Sequence, residues 1–402
     1  MATKKVALFF PTHRKDIFDR NRSIPTSLLY LERAIRHFDI DIILIDEQID
    51  KSYADIIDPI KDDLLFVGIS TMTGYQLNGA IEFSKYIRTV SECDIVWGGW
   101  HPTLLPEQVL DEDFVDYVVV GQGEIPLKEF TERKLDGKPV LDIAALGYKQ
   151  NGEIIINPRE DFKNPESVGG EIDYSKIDIR RYVHKPPYDA ERCIDYMSSH
   201  GCPFKCGFCS MAVIYDRKWY GKNLDCIIKN LKYFKSYVNI DSVYFFDDNF
   251  FVNRIHTIEL CKRLIDENLN LKWHSSAHAG LFLKSYNDDD IKLMYDSGCR
   301  EIYIGAESGD QYVLDIISKE TKVEDNLKFV EVLSKHGIIP RFAVMICLPM
   351  NPARDVELTF EMVKKAKLIN PSLVVGISFY TPYPGTDLFD LACENGFTPP
   401  PH

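Results

Sequence analysis

Three cysteines, Cys202, Cys206 and Cys209, sit close together in the run Ser198-Ser199-His200-Gly201-Cys202-Pro203-Phe204-Lys205-Cys206-Gly207-Phe208-Cys209. The other seven, Cys93, Cys193, Cys226, Cys261, Cys299, Cys347 and Cys393, are scattered and read as small buried hydrophobes. Thiolates spaced this closely on one loop can wrap an iron–sulfur cubane. Three ligands leave one iron of a [4Fe–4S] cluster without a protein partner, and that iron can take a chelating small molecule. The rival is a zinc site, but no second CxxC or HxxxH pair lies nearby to complete a tetrahedron.

These residues need a scaffold. From residue 193 onward, short apolar runs at 194–197, 242–246, 271–275, 301–304, 341–347 and 373–379 alternate with segments of helical period. Six βα units can curl into an incomplete barrel or lie flat as a second doubly wound sheet, and periodicity does not choose. The cysteine run follows the first of these strands. Asp247 and Asp248 follow the second, and Gly305, Glu307 and Ser308 the fourth. Parallel α/β folds build their sites at this C-terminal end of the strands. One of the two aspartates has a plainer use as an Asx turn or helix cap.

The first half alternates in the same way. Strands are predicted at 6–10, 42–45, 64–69, 95–97 and 117–120. Between them, Leu28, Leu31, Ile35 and Phe38 share one helical face, and Leu77, Ala80, Ile81 and Ile87 share another. This predicts a five-stranded doubly wound domain over residues 1–140. Its unusual residues also follow strands: Thr12 and His13; Ser70, Thr71, Met72 and Thr73; Gly98, Gly99 and His101; Gly121, Gln122 and Gly123. Four loops on one sheet edge outline a ligand crevice. No GxGxxG follows the first strand, so a nicotinamide dinucleotide is not expected. Residues 141–190 read as a linker with a hairpin turning at Asn151-Gly152, and residues 191–402 as the second domain.

The CxxxCxxC loop after a first strand is the signature of the radical S-adenosylmethionine (SAM) superfamily, and the second half resembles that superfamily throughout. The resemblance implies a partial (β/α)6 barrel and a [4Fe–4S] cluster on Cys202, Cys206 and Cys209. SAM would chelate the open iron and yield a 5′-deoxyadenosyl radical. Phe208 would lie against the adenine, Asp247 and Asp248 would meet the SAM ammonium, and Glu307 and Ser308 the ribose or methionine part. The first half resembles the Rossmann-like cobalamin (B12)-binding domain that precedes the barrel in one subfamily, which includes anaerobic tetrapyrrole cyclases and B12-dependent methyltransferases. Ile24-Pro25-Thr26-Ser27-Leu28, Gly98-Gly99-Trp100-His101-Pro102-Thr103 and Val119-Val120-Gly121-Gln122-Gly123-Glu124 carry that resemblance. It implies that the loops named above, from Thr12 to Gly123, bind cobalamin. Gln122 departs from the usual Gly-Glu-Gly-Glu, and no Asp-x-His-x-x-Gly motif is present. His101 therefore reads as a loop-structuring histidine rather than a cobalt ligand.

The expected activity is methyl transfer to an unactivated carbon of a small-molecule substrate. The runner-up is cyclisation or rearrangement on the same scaffold. An iron–sulfur electron carrier or cobalamin sensor is the non-enzyme reading. An electron donor such as flavodoxin or ferredoxin is implied. The net charge of −14 argues against nucleic acid and anionic membranes as partners. No apolar run reaches the roughly 20 residues that span a bilayer. The short apolar start reads as a first strand, which predicts a cytoplasmic protein.

Overall fold

The computed structural model describes residues 3–12, 22–50, 52–186 and 190–399. Contacts divide the chain into two units, Met1–Tyr182 and Val183–Pro401. His13 lies outside the described residues.

The first unit is built on β1 (Lys5–Phe10), β2 (Asp41–Asp46), β3 (Leu64–Ser70), β4 (Asp94–Gly98), β5 (Tyr117–Val119), β6 (Leu146–Gln150) and β7 (Glu153–Ile156). They lie in the order β2-β1-β3-β4-β5-β6-β7. The first five run parallel. The hairpin β6–β7 joins the same sheet antiparallel, with Val119 opposite Leu146. Alternation along β1 feeds two separate cores. Ala7 and Phe9 enter the one that holds Val67, Phe83 and Trp97. Val6 and Leu8 enter the other, with Leu28, Phe66 and Phe130. Both faces of this sheet are therefore covered, as doubly wound folds require. The order turns back at β1/β3, the place where such folds open a crevice.

The second unit holds β8 (Cys193–Tyr196), the short β9 (Ser199–His200) and β10 (Tyr220–Gly221), then β11 (Ser242–Phe245), β12 (Lys272–Ala277), β13 (Cys299–Glu307), β14 (Ile339–Ile346) and β15 (Val374–Phe379). Six of them form a parallel sheet whose spatial order, β8-β11-β12-β13-β14-β15, is the chain order. With no reversal, right-handed crossovers place every helix on one face. The sheet is the wall of an incomplete barrel, so the strand order chooses the barrel over a second flat, doubly wound sheet. Four of the covering helices, Leu224–Val238, Arg254–Asp266, Asp288–Asp296 and Pro352–Ile369, start behind an asparagine. Asn223, Asn253, Asn287 and Asn351 each accept a first-turn N–H, about 1 kcal/mol apiece. The ribbon β9–β10 was not expected. It pairs His200 with Tyr220 and braces the start of the cysteine loop.

Candidate functional site

The cysteine loop leaves β9 at Gly201, where φ is +83° and an added Cβ would lie 2.2 Å from the Lys218 carbonyl oxygen. A side chain here would force the loop apart. Gly207, between Cys206 and Cys209, is pinned by both its backbone groups: its N–H donates to the Ile317 carbonyl (2.8 Å) and its carbonyl accepts Leu388 N–H (2.8 Å). Phe204 stacks on His278 at 3.9 Å, and His278 bonds the Lys319 carbonyl at 2.6 Å. Cys202, Cys206 and Cys209 are half-buried and free. Burial pushes all three thiols up, Cys209 to about 12. They would ionise against a bound metal, whose charge reverses that burden. Ligands of a single ion would crowd within about 4 Å of one another at zinc–sulfur bonds of about 2.3 Å. Among the described residues only His184, Cys193 and Asp195 bring three such ligand atoms within 4.8 Å of one another. In that group His184 Nε2 is already paired with Asp195 Oδ1 at 2.8 Å. The donor set of the three loop cysteines fits a cubane, which spreads its thiolates over separate irons, better than it fits zinc.

The charged residues around the loop divide into two kinds. Asp247 is fully engaged by the chain. Its Oδ1 accepts Ser198 N–H (2.6 Å), and its Oδ2 accepts the hydroxyls of Ser198 (2.5 Å) and Ser199 (2.8 Å). It clamps the approach to the cysteines. Asp248 uses one oxygen on Gly201 N–H (3.0 Å), and burial raises it to about 6. An ammonium at its other oxygen would reverse that shift. Glu307, in the left-handed region at φ +57°, folds back to pair with the buried Lys319 at 2.8 Å. Lys319 also stands 5.8 Å from the centre of the Phe208 ring. Phe208 packs into the apolar group of Val313, Leu314, Ile317, Leu348 and Leu388.

Ser308 departs from expectation. It is fully buried, its hydroxyl donates to Asp355, and it accepts Asp310 N–H at 2.9 Å. The β-bulge between Gly305 and Glu307 turns Glu307 and Ser308 apart, so Ser308 holds the helix Pro352–Ile369 rather than facing a ligand. Lys319 was missed by sequence reasoning. It lies twelve residues after Glu307 with no local signature, and only folding brings the two together.

In the first unit the expected loops meet at the C-terminal edge of the sheet. Thr71 N–H donates to the Gly98 carbonyl (2.9 Å), and His101 N–H to the Thr71 carbonyl (3.2 Å). Gly99 sits at φ +97°, where a Cβ would lie 2.6 Å from the Thr71 carbonyl oxygen. Thr103 accepts Gly121 N–H (2.8 Å), and Lys163 N–H donates to the Gln122 side chain (3.0 Å). Thr12 N–H donates to Glu47 (2.8 Å), and Gly123 caps the helix Glu124–Asp136. Gln76, unremarked in the sequence, is the buried tie between Met72 N–H (2.7 Å) and the Pro11 carbonyl (2.8 Å). His101 is buried and bonds Thr73 through Nδ1 at 3.2 Å, and burial lowers its pKa to about 4. Ser70 is buried, while Met72 and Tyr75 stand exposed. The edge offers hydroxyls, backbone and small residues, which suit a large, mostly neutral ligand.

A barrel end that presents three thiols, an available carboxylate and a buried ion pair is the site of a cluster-dependent enzyme. The Radical SAM superfamily model matches residues 196–363, and the B12 binding domain model residues 20–131. An uncharacterized methyltransferase of Pyrococcus horikoshii is 29% identical over 378 residues, 92% of this chain and 79% of its own. The anaerobic magnesium-protoporphyrin IX monomethyl ester cyclase of Rubrivivax gelatinosus is 23% identical over 82% of this chain, which spans 58% of that relative. The radical SAM methyltransferase TsrM of Kitasatospora setae, solved with cobalamin and a [4Fe–4S] cluster, shares the fold. The TM-score is 0.78 over 96% of this chain and 77% of that one, at 15% identity. The chain therefore carries a B12-binding domain ahead of a radical SAM domain. Its cofactors are a [4Fe–4S] cluster, SAM and cobalamin. Among the described residues no helix is long and apolar enough to cross a membrane.

Proposed function

We propose that this protein transfers a methyl group from SAM to an unactivated carbon of a small molecule, with cobalamin as the carrier. The observation that carries the reading is the state of His101. The histidine expected nearest the cobalamin edge is buried, neutral and already bonded to Thr73. Held through Nδ1 by Thr73, His101 would brace the loop that holds the cobalamin, which when bound would supply a metal-centred methyl carrier. Methyltransferase is also the name carried by the Pyrococcus relative and the Kitasatospora structure.

The roles divide as follows. Cys202, Cys206 and Cys209 hold the cluster, Asp248 takes the SAM ammonium, and Phe208 lies against the adenine. Asp247 positions the loop through Ser198 and Ser199. Glu307, fixed by Lys319, faces the rest of SAM. Thr12, Ser70, Thr71, Met72, Thr73, Gly98, Gly99, Gly121, Gln122 and Gly123 form the cobalamin edge, with His101 supporting it. Held by the three cysteines, the cluster would supply the electron that cleaves SAM, and a flavodoxin or ferredoxin would be the donor. The rest is alignment and exclusion of water by the protein.

The test is anaerobic reconstitution with iron, sulfide and cobalamin, then incubation with reductant, SAM and candidate metabolites. Methyl transfer releases 5′-deoxyadenosine and S-adenosylhomocysteine together, with a product heavier by one methylene. Deoxyadenosine without S-adenosylhomocysteine would move the protein to the cyclase side of its group. Asp248→Asn should weaken SAM binding by about ten-fold or more, because it removes a charge-assisted bond in a closed site.

A further inference from the structure

The face of the barrel sheet turned away from the helices is polar, and its polarity is layered. Register places Asp195, Tyr244, His274 and Glu301 side by side in one layer. The next layer toward the cysteine end holds Ser276, Tyr303 and Arg341. The layer above that is Gly305, Ala343 and Gly376. Each step of two residues rises about 7 Å. The upper layer has almost no side chains. Glu307 and Lys319 fill the space over Gly305, where an added Cβ would meet them at 2.0 and 2.8 Å. Over Gly376 the space is open: among the described residues a Cβ there would meet only the Phe342 carbonyl oxygen, at 3.7 Å.

Below that space lie donors without acceptors. Arg341 bonds Glu301 through Nη1 alone, at 3.0 Å, and 30% of its side chain is accessible. Its Nε and Nη2 make no hydrogen bond among the described residues, and neither do the hydroxyls of Tyr303 and Tyr244. Tyr244 is held in place by stacking on His274 at 4.2 Å. Its ionisation feels Asp195, Tyr303 and Arg341, so these groups face one another. A guanidinium with an open edge and two phenols is a receptor for anionic oxygen.

We propose that Arg341, with Tyr303 and Tyr244, anchors a carboxylate of the substrate, and that the substrate's hydrocarbon part extends over Ala343 and Gly376 toward the cysteine loop. The proposal rests on the radical methyltransferase reading, since it uses the cluster end of the barrel as the reacting end. A carboxylate suits the site better than a phosphate, because Glu301 already neutralises part of the Arg341 charge and a dianion would be poorly matched. The rise from the Arg341 layer to the top of β14 at Met345 is four residues, about 13 Å. A substrate of that length would place a carbon near the radical while its acid group stayed at the bottom.

The full chain, reconstituted with its cluster and SAM, would be titrated anaerobically with hexanoate, hexanamide and hexyl phosphate, followed by ligand-observed NMR. Hexanoate should bind about ten-fold tighter than hexanamide, the weight of one charge-assisted pair. Arg341→Gln should erase that preference, and Tyr303→Phe should lower it by about three-fold. Arg341→Gln leaves Glu301 buried and unpaired. If its circular dichroism departs from wild type, Arg341→Gln with Glu301→Gln carries the same test without the stranded charge. Equal binding of hexanoate and hexanamide, no binding of hexanoate, tighter binding of hexyl phosphate, or a preference that survives loss of Arg341 would each overturn the proposal. Wild type that holds cluster and SAM but does not discriminate sinks only this inference. Wild type that holds no cluster sinks the reading beneath it.

Discussion

The first sheet turns back at β1/β3 and the second never does, and their sites differ accordingly. In the first unit helices cover both faces, so no face is left for a ligand and binding falls to the loop edge. That edge is held by backbone bonds, by Gly99 and Gln76, and by a neutral histidine. In the second unit all helices lie on one face, and the other becomes a wall that can carry Asp195, His274, Glu301 and Arg341. One-sided cover costs stability through buried charge, and it lets side chains rather than loops contact a substrate. A crevice of neutral loops suits a large cofactor, whereas a charged wall suits chemistry on a small molecule.

If the contrast is right, the two units should fail in different ways. The largest effect should come from Cys202→Ala, Cys206→Ala and Cys209→Ala together. All cluster iron and the brown colour should be lost while circular dichroism stays near wild type, because the thiols sit on a loop and not in either core. Iron retained by the triple variant would remove the cluster assignment.

Lys319→Met comes next. It strands the buried Glu307 carboxylate, at a cost of about 3–5 kcal/mol by urea unfolding. Glu307→Gln added to it should recover most of that loss. A single variant as stable as wild type would show that the two do not form a buried ion pair.

Acid titration should give the smallest effect. Burial holds His101 at about 4 and His274 at about 3, both below the ordinary histidine value. Each is neutral when folded, whereas the unfolded chain takes up a proton below about 6.5. Their contribution to stability is therefore complete above that pH and falls as the pH drops, by about 3 kcal/mol for each histidine at pH 4. His184 opposes the trend: burial would lower it, but Asp195 holds it above its ordinary value. His101→Asn and His274→Asn should each flatten the loss between pH 6.5 and 4. The His274 contribution should continue to lower pH. Urea midpoints measured across that range check this, and an unchanged slope in both variants would refute it.

Much of this was legible in the sequence. The three cysteines lie within one short loop, so their spacing alone reported a cluster. The strands were legible because apolar runs bounded by turns must be buried, and the observed ends fall within three residues of those expected. One signal was present but not used. Asp195, Tyr244, Tyr303 and Arg341 each alternate with apolar neighbours, whereas strands covered on both faces read as continuous apolar runs. That period of two distinguishes the barrel wall from the first sheet.

By itself, then, the sequence determined what local spacing can encode: which loop holds thiols, where strands begin, and which turns carry acids and glycines. Only the tertiary structure decided which partner each buried charge takes. Asp247 went to Ser198 and Ser199, Ser308 to Asp355, and Glu307 to Lys319. A carboxylate carries no mark of its destination along the chain. Its partner is set by register, bulges and the order of strands, and these are fixed by the packing of the whole sheet rather than by neighbouring residues.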